Sequence, residues 1–205
     1  MFYDILDDKR SKILPLLKIF KKDFYLAGGT ALAFQIGHRD SVDFAFFSPV
    51  DIDTIKLFLQ IQEIFIDHKI LKIQEEKNTL TVLIDDDIKF SFFTYRYELL
   101  KEKLDEENFF LASIKDIACM KLSAIISRAT NKDYIDLYFI LKRMDLKELI
   151  SLAQKKFPDI DANLILKSLV YFADIQTEPI VFKHQMEIDF VKVERFLIEV
   201  VKDLA

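Results

Sequence analysis

The chain has 205 residues, 51% of them hydrophobic, and a formal net charge of −5. This composition predicts one sizeable core and excludes a disordered or fibrous protein. The negative charge excludes a protein that coats nucleic acid by charge alone, so any nucleic-acid site must be a local basic patch. No run reaches the roughly 18 apolar residues of a membrane-spanning helix, and the N-terminus lacks a secretory pattern, so we expect a cytoplasmic protein with no membrane partner.

Cysteine and glycine are both rare. The single Cys119 cannot form an internal disulfide and is expected to pack in the core; three scattered histidines give no zinc pattern. The three glycines, Gly28, Gly29 and Gly37, all lie within ten residues, whereas ordinary usage would give about fourteen along the chain. The glycine pair therefore indicates a sharp bend or a close approach to another group.

The first half of the chain is predicted to form a small mixed sheet with helices. Apolar spacing predicts a leading helix that ends near Lys21 and Lys22, with Pro15 as a weak point. The charged stretch 101–108 is expected to be a surface helix or a linker. Between them we predict a strand at 24–27, a glycine turn, a helix at 30–36, a strand at 41–47, a helix at 51–67 capped by Asp51 or Asp53, and antiparallel strands at 70–74, 79–84 and 88–94.

The second half is predicted to be helical, at about 113–129, 132–143, 145–156, 161–172 and 187–203. The predicted fold class is therefore α+β. A sheet domain with helices, residues 1–112, is followed by a C-terminal helical bundle, residues 113–205, with a soft boundary near residue 112.

The turn Gly28-Gly29-Thr30 is the first candidate functional feature. A strand ends there, two glycines expose backbone N–H groups, a hydroxyl follows and a helix begins. This arrangement suits a phosphate. An ordinary turn between a strand and a helix explains the same pattern equally well.

Asp43 is the second candidate, because it is charged within the otherwise apolar strand SVDFAFF. Its side chain shares a face with Ala45 and Phe47. Since burial of an unpaired carboxylate is costly, Asp43 should be paired, capped, at a sheet edge or holding a cation. For an isolated strand aspartate, a plain pairing partner is the more frequent explanation.

A third candidate spans two consecutive predicted helices. On the first, Lys121 and Arg128 fall at the edge of an apolar stripe and point toward the packed side. On the second, Asp133 and Asp136 lie one turn apart, and Lys132 stands one turn before Asp136. Bases facing acids in this way could simply form a network of salt bridges between the helices, and we keep that alternative.

Two separated motifs carry the most specific signal. They are LAGGTALAFQIGHRDSVDFAFFS at 26–48 and ACMKLSAIISRATNKDYIDLYFIL at 118–141. In this order they closely resemble the AbiEii-type nucleotidyltransferase family, known for abortive-infection and toxin–antitoxin toxins. The resemblance covers most of the chain and implies a minimal polymerase-beta-like fold. It also implies a transferase that binds a nucleoside triphosphate with Mg²⁺ and transfers a nucleotide to an acceptor such as RNA or tRNA.

The resemblance further implies roles for individual residues. Asp43 would bind a metal ion and act in catalysis, Lys121 would bind phosphate, and Asp136 would orient a neighbour or act as a base. His38 is expected to be a packed or capping residue. The resemblance assigns nucleotide binding to the matched positions Gly28, Gly29, Thr30, Lys132 and Asp133. Arg39 and Ser41, which lie just before Asp43, are expected to bind the nucleotide as well.

The chain departs from the family pattern beside Asp43. The family has a second acidic residue two positions on, so that two carboxylates hold two magnesium ions, but this chain has Ala45. A third acidic position on a neighbouring strand would fall near Ser91. Three explanations stay open: one metal suffices, a carboxylate such as Asp40 or one of Asp85–Asp87 substitutes, or Ala45 is a natural or engineered inactivating change.

Three functions therefore remain. The first is a magnesium-dependent transferase, with RNA as acceptor if a basic patch lies beside Gly29 and Lys121, with Arg39 and Arg128. The second is a silent member that binds nucleotide, RNA or a protein partner such as a cognate antitoxin, and Ala45 favours it. The third is an antitoxin-like interaction protein whose cleft is vestigial.

Overall fold

The computed structural model describes residues 1–204 of the chain. Its strands are β1 (Tyr25–Ala27), β2 (Asp43–Ser48), β3 (Ile70–Glu76), β4 (Thr79–Ile84), β5 (Ile88–Thr94), β6 (Leu104–Asp105) and β7 (Phe110–Leu111). They form one seven-stranded sheet in the order β3-β4-β5-β2-β1-β7-β6. The predicted antiparallel meander is confirmed, because β3 pairs with β4 and β4 with β5 in that sense.

The register of the central strands brings the candidate residues to one end of the sheet. β1 and β2 run antiparallel, with Ala27 opposite Ala45. β2 and β5 run parallel, with Asp43 beside Lys89 and Ala45 beside Ser91. Because Ala27 ends β1 and Asp43 begins β2, the glycine turn that follows β1 lies next to the first half of β2.

The α-helices described are α1 (Asp8–Ile13), α2 (Gly28–Ile36), α3 (Thr54–Ile64), α4 (Ile114–Arg128), α5 (Asn131–Leu141), α6 (Leu146–Lys156), α7 (Ala162–Leu169) and α8 (Phe190–Lys202). α4 packs against α5, α6 and α7 and also against α2. One continuous set of buried apolar side chains joins the sheet to these helices. The mixed α and β architecture is confirmed, whereas the separate C-terminal bundle and the boundary near residue 112 stay predictions. None of the helices in residues 1–204 has the length and apolar content needed to span a bilayer.

The predicted alternation of side chains along β2 is confirmed. Phe44 and Phe46 are buried in the core, and the Phe46 ring stacks on Phe92 with centroids 4.6 Å apart. Asp43 is exposed and Ala45 is half-buried. Since neighbouring strand residues point to opposite faces, the aromatic core on one side fixes Asp43 and Ala45 on the other.

The N-terminal segment corrects one prediction. The expected single leading helix is instead a 3-10 helix at Tyr3–Ile5, the short α1 and a second 3-10 helix at Leu14–Phe20. Pro15 lies at the start of that last segment. Its ring removes a backbone donor and prevents a continuous α-helix.

The helices predicted at 161–172 and 187–203 are shorter, at Ala162–Leu169 and Phe190–Lys202, and two further segments also differ from prediction. The helix predicted at 51–67 spans only Thr54–Ile64, and Asp53 is its N-cap, accepting a hydrogen bond from the Lys56 backbone N–H at 3.0 Å. The charged stretch 101–108 contains β6 and no helix, so its interpretation as a linker is the better one.

Candidate functional site

The glycine pair forms the junction between β1 and α2. Gly28 has a φ of +75°, a conformation that favours glycine, and a Cβ placed there would lie 3.8 Å from Ala45 Cβ. A Cβ placed on Gly29 would lie only 2.6 Å from Nη2 of Arg39. Gly28 is therefore needed for the bend and Gly29 for the close approach of Arg39.

The hydroxyls beside this turn are already engaged. Thr30 Oγ1 and Ser41 Oγ lie 2.7 Å apart, and Thr30 Oγ1 also donates to the backbone carbonyl of Asp43. These bonds tie α2 to the start of β2. The N-cap residue of α2 is Ala27, and within the described residues no side-chain hydrogen bond caps this helix end, where backbone N–H groups can bind an anion.

Asp43 has a cationic partner on the neighbouring strand. Lys89 Nζ lies 2.6 Å from Asp43 Oδ2, and the two side chains are 43% and 48% exposed. The expectation that Asp43 is paired is thereby confirmed. Sequence reasoning missed Lys89, because it predicted both strands but not the parallel register that puts the two residues side by side.

The residues around Asp43 do not fit a two-metal site. Ala45 supplies no ligand atom, and Ser91 beside it supplies only a hydroxyl, which accepts from Thr81 Oγ1 at 3.3 Å. Within residues 1–204, no group of three or more His, Cys, Asp or Glu side chains could hold a metal ion. A two-metal site needs aligned carboxylates, of which this chain keeps one.

The carboxylates considered as substitutes do not complete that set. Asp40 belongs to no metal-binding group within the described residues. In the turn between β4 and β5, each of three consecutive carboxylates pairs with a base at 2.7–3.0 Å: Asp85 with His68, Asp86 with Lys69 and Asp87 with Lys9. Each of these three carboxylates therefore already has a basic partner, and none of those partners belongs to the glycine turn.

The second motif folds into a buried ion network. The Arg39 guanidinium donates to both oxygens of the fully buried Asp136, at 2.8 and 2.9 Å. His38 Nε2 lies 2.7 Å from Asp136 Oδ1, and Lys121 Nζ lies 2.5 Å from Asp136 Oδ2. Lys121 Nζ also donates to Asp133 Oδ1 at 2.7 Å. The structure therefore contains the salt-bridge network that was kept as an alternative. This network joins α4, α5 and the segment after α2.

Charge pairing controls the protonation of this network. Burial alone would raise the pKa of Asp136, but the charges of Arg39 and Lys121 and the hydrogen bonds from His38 and Arg39 hold it well below its ordinary value. Burial would likewise raise the pKa of Asp133, and the Lys121 charge lowers it. The pKa of His38 is lowered because burial outweighs the attraction of Asp136. Two ionised carboxylates thus face two cations and a neutral imidazole.

The cations expected to bind phosphate are engaged inside this network. The side chains of Arg39 and Lys121 are only 5% and 7% exposed. Lys132 does not join them, since its Nζ pairs with Glu178 at 2.8 Å. Arg128 is 64% exposed and reaches Asp133 Oδ2 at 3.3 Å. The roles in nucleotide binding and catalysis assigned to these residues by resemblance stay predictions.

Two expectations about isolated residues are confirmed. Cys119 is buried, and burial raises the pKa of its thiol to about 12, so the thiol is a packing group. His38 is buried and packs against the Phe139 ring, with centroids 4.9 Å apart. Its Nδ1 has no hydrogen-bond partner among the described residues.

The two motifs and the fold define the class of protein. Residues 16–199 match the family described as "Nucleotidyl transferase AbiEii toxin, Type IV TA system". The chain belongs to this AbiEii nucleotidyltransferase toxin family, as its motifs predicted, and the family supports a nucleotidyl transfer role. A relative from Aquifex aeolicus (strain VF5), described as "Uncharacterized protein aq_aa25", is 46% identical over 162 residues, covering 76% of this chain and 77% of the relative.

Solved structures share the fold. The nucleotidyltransferase toxin MenT4 from Mycobacterium tuberculosis H37Rv superposes with a TM-score of 0.59 at 16% identity, covering 95% of this chain and 82% of MenT4. A putative nucleotidyltransferase from H. pylori superposes with a TM-score of 0.56 at 19% identity, covering 97% of each chain. At these identities the likeness shows the fold alone.

Proposed function

We propose that this chain binds a nucleoside triphosphate at the first turn of α2 and does not perform two-metal nucleotidyl transfer. The observation that carries the proposal is the position of Ala45. It lies directly against Gly28, with 3.8 Å between Ala45 Cβ and a Cβ placed on the glycine, and pairs with Ser91. The glycine turn is therefore present, while the positions beside Asp43 that would carry further carboxylates hold Ala45 and Ser91.

Binding would use the backbone more than the buried cations. Gly28 and Gly29 form the N-terminal end of α2, where the N-cap residue provides no side-chain cap. The helix dipole favours negative charge at this end. Lys89, 43% exposed, is the solvent-accessible ammonium nearest to Asp43 along the neighbouring strand. It supplies a positive charge for a phosphate whenever its pair with Asp43 opens.

A second candidate is transfer of a nucleotide to an RNA end, such as that of tRNA, with a single Mg²⁺ on Asp43. The half-exposed carboxylate of Asp43 favours it, since Mg²⁺ is commonly held by one or two carboxylates together with substrate phosphates. In this candidate Lys121 and Asp136 keep their predicted catalytic roles. Both side chains are buried, so the ion network would have to open.

The family description also suggests partners. It is a toxin family of type IV toxin–antitoxin systems, which supports a cognate antitoxin as a functional partner of this chain. We place both in the cytoplasm, where nucleoside triphosphates and RNA are available.

The test compares the chain with its Ala45→Asp variant and, as a matched control, Ala45→Asn, which adds the same volume without charge. Triphosphate binding is measured by equilibrium dialysis, and transfer by following labelled nucleotide into total RNA or protein with Mg²⁺ present. We expect the chain to bind triphosphate without transferring it, and only Ala45→Asp to gain transfer.

The outcomes separate the two candidates. Transfer by the unaltered chain would overturn the proposal and support catalysis with one carboxylate. Absence of triphosphate binding in a chain whose circular dichroism shows it to be folded would reject both candidates. Transfer by Ala45→Asn as well as Ala45→Asp would show that volume, and not a second carboxylate, is what the site lacks.

A further inference from the structure

A cavity of about 770 Å³ lies between the C-terminal ends of α4 and α7, outside the residues matched to nucleotide binding. Its volume is within the range of small-ligand sites. Its lining combines apolar side chains with polar and charged ones. The residues that matter here are Ile126, Arg128, Lys167, Val170, Tyr171 and Gln176.

Hydrogen bonds fix the walls of the cavity. Tyr134 Oη lies 2.9 Å from the backbone carbonyls of both Ser168 and Tyr171, which anchors the segment after α7. On the other side, Gln176 N–H donates to the Ala129 carbonyl at 3.1 Å, and its own carbonyl accepts from the Asn131 N–H at 3.0 Å. Hydrogen bonds therefore hold the segments on both sides of the cavity in place.

The lining combines an exposed aromatic ring with two cations. Tyr171 is 54% exposed, and its hydroxyl donates to Asp174 Oδ2 at 2.9 Å. Arg128 is largely exposed and bonded to Asp133 only at 3.3–3.5 Å. In the part of the chain that the structure describes, Lys167 is exposed and takes part in no ion pair or side-chain hydrogen bond. With Asp174 as the one carboxylate of the lining, the charge here is positive on a chain of net charge −5.

We propose that this cavity binds one nucleotide of a single-stranded RNA. The base would stack on the Tyr171 ring beside Ile126 and Val170, and the flanking phosphate would lie between Arg128 and Lys167. Stacking on an aromatic ring next to cations that track the backbone is how single strands are commonly held. An apolar ligand would leave both cations unused, whereas a nucleotide uses the ring and the charges together.

This inference does not depend on the proposed triphosphate site, and it can be tested separately. The chain has no tryptophan, so Tyr171→Trp introduces a single fluorescent reporter at the cavity. The probes are a ten-residue oligouridylate and free UMP. We expect saturable quenching of the tryptophan by the oligonucleotide. UMP should bind more weakly, because a strand carries a phosphate on both sides of an internal base and can bind in several registers.

Matched variants of the natural chain assign the groups. Tyr171→Leu should weaken oligonucleotide binding about tenfold, and Tyr171→Phe, which keeps the ring, should leave it nearly unchanged. Arg128→Gln and Lys167→Gln should each reduce the slope of log affinity against log salt by about 0.7. Lys22→Gln, an exposed lysine distant in sequence, is the control and should leave the slope unchanged.

Two results would overturn the proposal. One is the absence of quenching together with unchanged affinity in the Tyr171, Arg128 and Lys167 variants. The other is quenching by UMP as strong as by the oligonucleotide, which would identify a mononucleotide site instead of an RNA strand site. Loss of triphosphate binding at α2 with oligonucleotide binding intact would reject only the proposed function.

Discussion

The two sequence motifs place their aspartates, Asp43 and Asp136, in opposite environments. Asp43, in the first motif, is 48% exposed and, within the described residues, forms one ion pair, with the half-exposed Lys89. Asp136, in the second, is fully buried and is contacted by Arg39, His38 and Lys121. The resemblance predicted a functional role for both aspartates, yet of the two Asp43 is the one that a ligand from solvent can reach without rearrangement.

The difference shows how burial decides what a charged residue can do. A buried charge must be completely paired, and removal of one partner leaves the others desolvated and unpaired. An exposed pair is screened by water and can exchange its partner for a ligand at little cost. The Asp136 network therefore holds α4 and α5 against the segment that carries Arg39, and so positions the glycine turn beside Asp43.

The largest loss of stability is expected from Asp136→Asn. The substitution would leave Arg39 and Lys121 with one fewer negative partner in the interior, so the free energy of unfolding should fall by about 3–5 kcal/mol. Urea unfolding followed by circular dichroism measures it. A loss below about 1 kcal/mol would contradict the view that the network is the structural support of the site.

A smaller loss is expected from Gly29→Ala. The added Cβ would lie 2.6 Å from Arg39 Nη2, so the guanidinium must shift from Asp136, at a cost of about 1–3 kcal/mol. A double-mutant cycle with Arg39→Lys is the control, since lysine lacks Nη2 and the alanine should then cost less. Equal costs in both backgrounds would show that Arg39 does not set the requirement for glycine.

The buried imidazole gives the network a pH dependence. Burial lowers the pKa of His38 below the value of about 6.5 that it has when unfolded. The unfolded chain therefore binds a proton first, and the stability that is complete above about pH 6.5 should fall as the pH drops toward the folded-state pKa. Unfolding free energies between pH 7.5 and 5 should show this fall, and His38→Gln should make it shallower. An unchanged slope in the variant would assign the pH dependence to another group.

The sequence predicted the local features of both regions and missed their long-range partners. The strand, glycine turn and helix at 24–36, and the alternation along β2, follow from neighbours in the chain and are confirmed. Whether Lys121 faces solvent or Asp136 depends on how α4 packs on α5. The Arg39 and His38 contacts to Asp136 join residues 97 and 98 positions apart, and periodicity within single elements carries no information on such pairs.

The smallest effect on stability is expected from Asp43→Asn. The carboxylate belongs to a half-exposed ion pair. Such pairs contribute about 0–1 kcal/mol, so the free energy of unfolding should change by no more than about 1 kcal/mol. Asp105→Asn, which removes another exposed carboxylate paired with Lys21 at 2.5 Å, is the matched control. If Asp43→Asn destabilised the chain as much as Asp136→Asn, the contrast between the two regions would be wrong.

The affinity for triphosphate should increase in the Asp43→Asn variant. Without the carboxylate, Lys89 keeps its positive charge for the phosphates and one negative charge near them is gone. Two unit charges about 4 Å apart in water interact with ~1 kcal/mol, so the affinity for triphosphate in EDTA should rise about fivefold at most. Equilibrium dialysis of the variant and of the Asp105→Asn control measures it. A weaker affinity in EDTA would mean that Asp43 binds the nucleotide through a donor group on the ligand, and that its pair with Lys89 must stay closed.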